Sequence, residues 1–361
     1  MGVEVKFTDK DLPVSPGFIE FLHYHIEKQA VDTSWHDQLS ETLIPADFDK
    51  RVQHAESVAD QVLQHPLGQQ AIYRAYELFT ALLLGKLDKV TTIHERYRFI
   101  CIVGCPRHGG TYLTKHLFRA LDYDPAQVPN MIAHDGFPDA TPFLLAPQHN
   151  SYTAMMQQTA EYLAMVEVFF ANSRLHGQRI AVPKKATKAA YHGKFFLSVW
   201  GPDTELIITL RHPVAACIST YEKSTGLPAG GKFAVRGNIE EWAYRDNLAT
   251  GANAGRILEQ DYLDVYLRYW EQYHLDLALT GLSASRNRRI VAYGKERLTT
   301  CARNLCTRFG SAVNIEDFKV FDTRDRHPEW NRRAEPVIRR VAEVWKVVGL
   351  DFPVEEVMEA W

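Results

Sequence analysis

Between Phe99 and Lys115 the chain reads FICIVGCPRHGGTYLTK. Three glycines (Gly104, Gly109, Gly110), a hydroxyl (Thr111) and a cation (Arg107) lie within eight positions of one another. A glycine loop between a strand and a helix aims backbone N–H groups at one point, and the helix dipole adds partial positive charge there. Such a loop suits a phosphate or a sulfate. The spacing approaches the G-x-x-x-x-G-K-[ST] loop of nucleoside triphosphatases, but Gly110 stands where the lysine belongs and the cation has moved forward to Arg107. Downstream, ELIITL ends in Arg211 instead of the aspartate that holds Mg²⁺ in those enzymes. A loop arginine and a second arginine on a neighbouring strand need no metal, and they suit a donor with little charge at its reacting end. A sulfuryl group, with one negative charge, fits.

These residues need elements to position them. Residues 1–95 read as a helical N-terminal extension, with SPGFIEFLHYHIEKQ, ADFDKRVQHAESVADQVLQHP and LGQQAIYRAYELFTALLLGK carrying apolar residues at helical spacing. The period then changes. YRFICIVG reads as a strand and TYLTKHLFRAL as the helix after the loop. A long helix is expected near Tyr152 to Ala171. Further strands are expected in QRIAVPKKA, TELIITL and RRIVAYG, the last two each followed by a helix. Alternating strands and helices predict an α/β domain over 96–361, with a mostly parallel central sheet flanked by helices. STGLPAGGKFAVRGN reads as a loop rich in glycine and basic residues.

CPRHGGTYL resembles the 5′-phosphosulfate-binding loop of sulfotransferases, usually P-K-S-G-T-T or P-R-S-G-T-T. Pro106, Arg107, Gly109 and Thr111 match, while His108 replaces Ser and Gly110 replaces Thr. PDTELIITLRHPVAACISTYEKS is similar to the family's 3′-phosphate segment, R-[DN]-P-x-x-x-x-x-S, with Arg211 and Ser219 in the key places and His212 as a departure. IVAYGKERL, with Tyr293, is similar to a third family segment, although Gly294-Lys295 displaces its acidic pair. The resemblance spans about residues 97 to 345. It implies the P-loop nucleotide-kinase-like sulfotransferase fold and 3′-phosphoadenosine 5′-phosphosulfate as donor, with 3′-phosphoadenosine 5′-phosphate as product and no metal. It also implies roles. Arg107 stabilises charge on the leaving bridging oxygen; His108, Gly109, Gly110, Thr111 and Tyr112 surround the 5′-phosphate. Arg211 grips the 3′-phosphate with Ser219 beside it, and Arg324 or Arg326 in DTRDRHPEWNRR closes over the nucleotide.

Sulfuryl transfer needs a proton acceptor of near-neutral pKa. The cytosolic relatives place it in a K-T-H pattern after the second strand. Here VPKKATK aligns Lys184 or Lys185 with that lysine, and Ala186 falls where the histidine would be. The base is therefore expected in VPNMIAHDGFPDATP, at His134, with Asp135 as its partner or alternative. Phe137, Phe143, Tyr152, Trp242 and Tyr244 are candidate walls of an acceptor pocket. His23 and His25 stand two apart on a helix and make a poor metal pair.

Composition bounds the rest. The 361 residues carry a net charge of −3, which argues against a general nucleic-acid binder. Five cysteines, without a C-x-x-C pair, argue against a disulfide scaffold or structural zinc. MGVEVKFTDKD lacks the apolar core of a signal peptide, and no apolar run is long enough to span a bilayer. A cytoplasmic enzyme acting on a small-molecule acceptor, such as a secondary metabolite, is expected. The rival expectations are a P-loop kinase-like phosphotransferase and a non-catalytic nucleotide-binding protein.

Overall fold

YRFICIV forms strand β1 (Tyr97–Val103), and IAVPKK, ELIITL and RRIVA form β2 (Ile180–Lys185), β3 (Glu205–Leu210) and β4 (Arg288–Ala292). All four lie where the sequence predicts strands. In a computed structural model, which describes residues 12–27, 45–134, 151–282, 285–310, 315–320 and 322–361, they form one parallel sheet in the order β2-β1-β3-β4. Val103 of β1 lies opposite Ile208 of β3, and Leu210 of β3 opposite Ala292 of β4. Every residue of β3 is buried, as are all but one of β1, whereas β4 starts exposed. Their nearly unbroken apolar runs follow from burial on both faces of a parallel sheet. The chain passes from β1 to β2 on one side and then to β3 on the other. In such sheets, ligands bind at the carboxyl ends of the strands beside a reversal of this kind.

Helices α1 (Pro16–Glu27), α2 (Pro45–Gln64), α3 (Pro66–Leu83) and α4 (Asp88–Arg96) precede β1. Between β1 and β2 come α5 (Gly110–Ala120), α6 (Asn130–Ala133) and α7 (Ser151–Phe169). A 3₁₀ helix, Thr187–His192, and α8 (Gly193–Trp200) lead into β3. The β3–β4 connection carries α9 (Pro213–Lys223), α10 (Asn238–Ala249), α11 (Ala254–Glu259) and α12 (Tyr262–Leu279). After β4 come α13 (Lys295–Arg308), α14 (Pro328–Val347) and α15 (Val354–Met358). No helix among the described residues is long and apolar enough to cross a membrane.

The chain divides into two units. The first comprises residues up to Phe99, Tyr123–Lys184 and Val199–Gly201; the second comprises Ile100–Asp122, Lys185–Ser198 and Pro202–Trp361. In the first, α7 packs along α3 and α1 packs on α2. The buried Glu161 of α7 accepts hydrogen bonds from the Ser15 amide and Gln157 Nε2, both at 3.0 Å, which ties α7 to the N-terminal helices. In the second, α5 packs on α13, while α12 packs against α9, α10, α14 and the 3₁₀ helix.

Candidate functional site

The loop after β1 is shaped by close approach to β3. A Cβ on Gly104 would collide with Thr209 Oγ1, so only glycine lets the loop leave the strand along this path. Two residues then adopt left-handed backbone, Arg107 at φ 70° and Gly109 at φ 86°. For arginine this costs about 1–2 kcal/mol. Its side chain is exposed, with Nε donating to Ser219 Oγ at 2.9 Å. Helix α5 begins at once, and its N-cap, Gly109, has no side chain to cap the first turn. The half-buried Thr111 stands in that turn. Ala at position 109 would put its Cβ 2.7 Å from Leu298 Cδ1 in a left-handed conformation. Gly109→Ala is expected to cost about 1–2 kcal/mol in chemical denaturation; an unchanged midpoint would contradict this account of the turn.

Arg211 follows β3 directly and is 4% exposed. Its Nη1 donates to the Arg107 carbonyl at 3.0 Å, and its guanidinium lies over the Tyr293 ring at 3.9 Å. Its own carbonyl accepts from Trp270 Nε1 at 3.2 Å. Arg211 has no ion pair with a described carboxylate, and its Nε is buried without a partner. Burial pulls its pKa down and Arg107 adds to the pull, yet a guanidinium stays protonated. A buried cation without a counter-ion is costly, and an anion shared with Arg107 would relieve it.

His212, the departure from the R-[DN]-P pattern, keeps the role of the residue it replaces. Pro213 opens α9, and His212 Nδ1 accepts from the Val214 amide at 3.3 Å as an Asp or Asn cap would. The ring stacks on Trp361 at 4.1 Å. Burial, then the charges of Arg211 and Arg324, lower its pKa to about 3. The unfolded chain, with an ordinary histidine near 6.5, therefore takes up this proton first. The stability it contributes is complete above that value and is lost as pH falls toward 3. Relative to His212→Asn, which caps without titrating, wild-type protein should lose about 1 kcal/mol between about pH 6.5 and 5.5 in urea unfolding. Parallel curves for the two proteins would refute the buried neutral ring.

The other expected donor-site residues divide. His108 does not face the ligand side of the loop: it is 1% exposed, shares a 3.1 Å hydrogen bond with the Thr209 carbonyl through Nδ1, and stacks on His274 at 5.5 Å. Burial and His274 hold its pKa well below the usual value, so it is a neutral core residue. The Tyr112 hydroxyl is engaged by the Glu316 carbonyl at 2.7 Å, and its ring meets Phe318 edge-on at 4.8 Å. Tyr293 supports Arg211 from below. Arg326 is paired with Glu222. Arg324 lies over Trp361 at 5.8 Å and acts on His212, so of these two arginines it is the one beside the Arg211 segment. The end of β2 splits the lysine pair. Lys185 runs over the loop, with Cε 3.4 Å from the place a Cβ on Gly110 would occupy.

Lys184, His134 and the described part of their segment belong to the first unit. Lys184 is 0% exposed; its Nζ donates to the His134 carbonyl at 2.7 Å and the Met131 carbonyl at 3.3 Å, and sits 3.9 Å over the Tyr162 ring. Its ammonium thus fastens the backbone at the end of α6. Asp135, Phe137 and Phe143 lie outside the described residues.

A second group of side chains was not foreseen. Oδ2 of Asp246 and the hydroxyl of Tyr191 are buried in the second unit without hydrogen-bond partners, while the hydroxyls of Tyr266 and Tyr269 stand near the Cys105 thiol and that of Tyr266 also near Thr220. One such orphan costs about 1–3 kcal/mol. Burial, and next the charge of Asp276, push the Asp246 carboxyl up to about 8. The sequence signal was present: tyrosines at 262, 266, 269 and 273 recur at helical spacing and form one face of α12.

No protein-family model, curated protein or solved structure matches the chain.

Proposed function

We propose that the protein is a sulfotransferase that moves a sulfuryl group from 3′-phosphoadenosine 5′-phosphosulfate to a hydroxyl or amine of a small-molecule acceptor. One observation carries this reading: two phosphate-motif segments 104 residues apart meet, through Arg107 Nε on Ser219 Oγ and Arg211 Nη1 on the Arg107 carbonyl. The donor, when bound, supplies the activated sulfuryl group. Thr111 and the amides of Gly109 and Gly110 hold the 5′-phosphate at the uncapped start of α5. Arg211, whose Nε lacks a partner, and Ser219 hold the 3′-phosphate, and Arg324 beside Trp361 borders the same end. Arg107, and Lys185 over Gly110, place positive charge where the bridging oxygen departs.

Calorimetry with adenosine 3′,5′-bisphosphate and with ATP, with and without Mg²⁺, tests the donor class. The bisphosphate is expected to bind without Mg²⁺ and more tightly than ATP. Preference for Mg²⁺–ATP would favour phosphoryl transfer instead, and binding without turnover across an acceptor screen would leave a nucleotide-binding protein.

A further inference from the structure

The peptide that joins Arg211 to His212 is gripped on both sides. The Arg211 carbonyl accepts from Trp270 Nε1 at 3.2 Å, and the His212 amide donates to the Ala360 carbonyl at 3.1 Å. Both holders lead to one short stretch of the second unit, residues 352–361. At its start, Phe352 packs edge-on against Trp270 at 6.3 Å and against Trp345 at 5.1 Å. At its end, the buried Trp361 stacks on the His212 ring at 4.1 Å and lies under the Arg324 guanidinium at 5.8 Å. The stretch is itself held. Trp361 Nε1 donates to the Met358 carbonyl at 3.0 Å, and Val357 and Ala360 are fully buried. From α13, Arg297 donates to the Glu356 carbonyl at 3.4 Å and to the Glu359 carboxylate at 3.3 Å. That helix begins just after Tyr293, the residue on whose ring the Arg211 guanidinium lies. Residues 352–361 therefore tie together the Arg211–His212 peptide, the Arg324 segment and the start of α13.

We propose that Trp361 is a positioning residue for the anion site: its stack on His212, with the Ala360 carbonyl on the His212 amide, fixes the backbone from which Arg211 reaches the 3′-phosphate. The inference rests on the sulfuryl-transfer reading for the identity of that anion. A buried guanidinium without an ion pair gains by turning toward water, so contacts other than charge must keep it in place. Tyr293 supports its face and the Arg107 carbonyl takes Nη1, while Nε stays without a partner. The origin of the side chain is set by the Arg211–His212 peptide, and there residues 352–361 act. The same stack locks the His212 ring, whose Nδ1 accepts from the Val214 amide and caps α9. That helix carries Ser219, the acceptor for Arg107 Nε. One indole thus steadies both the Arg211 backbone and the helix that steers Arg107. A cation held in place before the ligand arrives loses less freedom on binding, and affinity rises by that difference. Trp361 acts through His212 and takes no part in the transfer. Coupling of this kind is reciprocal, so an anion on Arg211 should tighten the His212–Ala360 hydrogen bond.

The test is calorimetry of wild type, Trp361→Ala, Trp361→Phe, Arg211→Ala and the double variant Arg211→Ala/Trp361→Ala with adenosine 3′,5′-bisphosphate, adenosine 5′-phosphosulfate and inorganic phosphate. The bisphosphate should bind Trp361→Ala about tenfold more weakly than wild type, the scale of one hydrogen bond. Trp361→Phe keeps a ring on His212 and should bind nearly as wild type does. Adenosine 5′-phosphosulfate, without a 3′-phosphate, should bind Trp361→Ala almost as before. In the Arg211→Ala background the loss of Trp361 should have no further effect, because losses add only for independent sites. Bisphosphate should also slow hydrogen exchange at the His212 amide in wild type, and less so in Trp361→Ala. Unchanged bisphosphate affinity in Trp361→Ala, equal losses for the two nucleotides, or additive losses in the double variant would overturn the assignment and leave a tryptophan that merely packs. If Trp361→Ala does not fold, Trp361→Leu, which keeps bulk without the stack, takes its place. Failure of wild type to bind the bisphosphate would refute the donor reading alone, and the same comparison with inorganic phosphate then decides the role of Trp361. Binding of neither ligand by wild type would overturn both.

Discussion

Under the proposed sulfuryl transfer, replacing Arg107 by Ala is expected to lower kcat by about two to four orders of magnitude, the scale for removing one preorganised donor to charge that develops in the transition state. Arg107 is an exposed cation of the loop, held in a left-handed backbone with Nε on the Ser219 hydroxyl, so its charge has a fixed place in the protein without ligand. Donor affinity falls less, because the loop amides and Arg211 remain. Arg107→Lys keeps the charge but loses the planar fork, and it should recover only part of the rate. Single-turnover kinetics separate the chemical step from binding. A near-normal kcat in Arg107→Ala would take this residue out of the catalytic role.

Under the same proposal, Arg211→Ala is expected to weaken binding of adenosine 3′,5′-bisphosphate by about 2–3 kcal/mol, as for a charge-assisted bidentate contact. Adenosine 5′-phosphosulfate, without a 3′-phosphate, should bind almost as before; equal losses for both nucleotides would make Arg211 a structural residue. A second readout comes from burial. Arg211 is a cation with no described ion pair, supported by the Tyr293 ring and the Arg107 carbonyl. Replacing a buried, unpaired charge by a residue of similar volume is neutral or stabilising. Arg211→Met should therefore match or exceed wild type in thermal stability without ligand while losing the stabilisation the bisphosphate provides. A strongly destabilised Arg211→Met would show that the guanidinium is needed by the fold itself.

What the chain determined by itself was local. The four strands, the glycine loop and the helix after it were legible because a strand buried on both faces leaves an unbroken apolar run, and a strand–turn–helix crossing needs its glycines at set places. The order of the two arginine segments was legible for the same reason, since each ends a strand of that sheet. Which way individual side chains turn was not. Lys184 and Lys185 are neighbours on a strand, so one faces the backbone at His134 and the other the loop, and only the strand's setting in the sheet decides which. His108 sits inside a loop full of ligand-facing groups, yet the turn at Arg107 sends its ring into the core beside His274. Asp246, in the polar stretch EEWAYRDN, gives no sign of its burial in sequence. Its unusual carboxyl arises when α10 is laid against α12 and the tyrosine face, because a pKa depends on the dielectric and charges that tertiary packing brings together from distant parts of the chain.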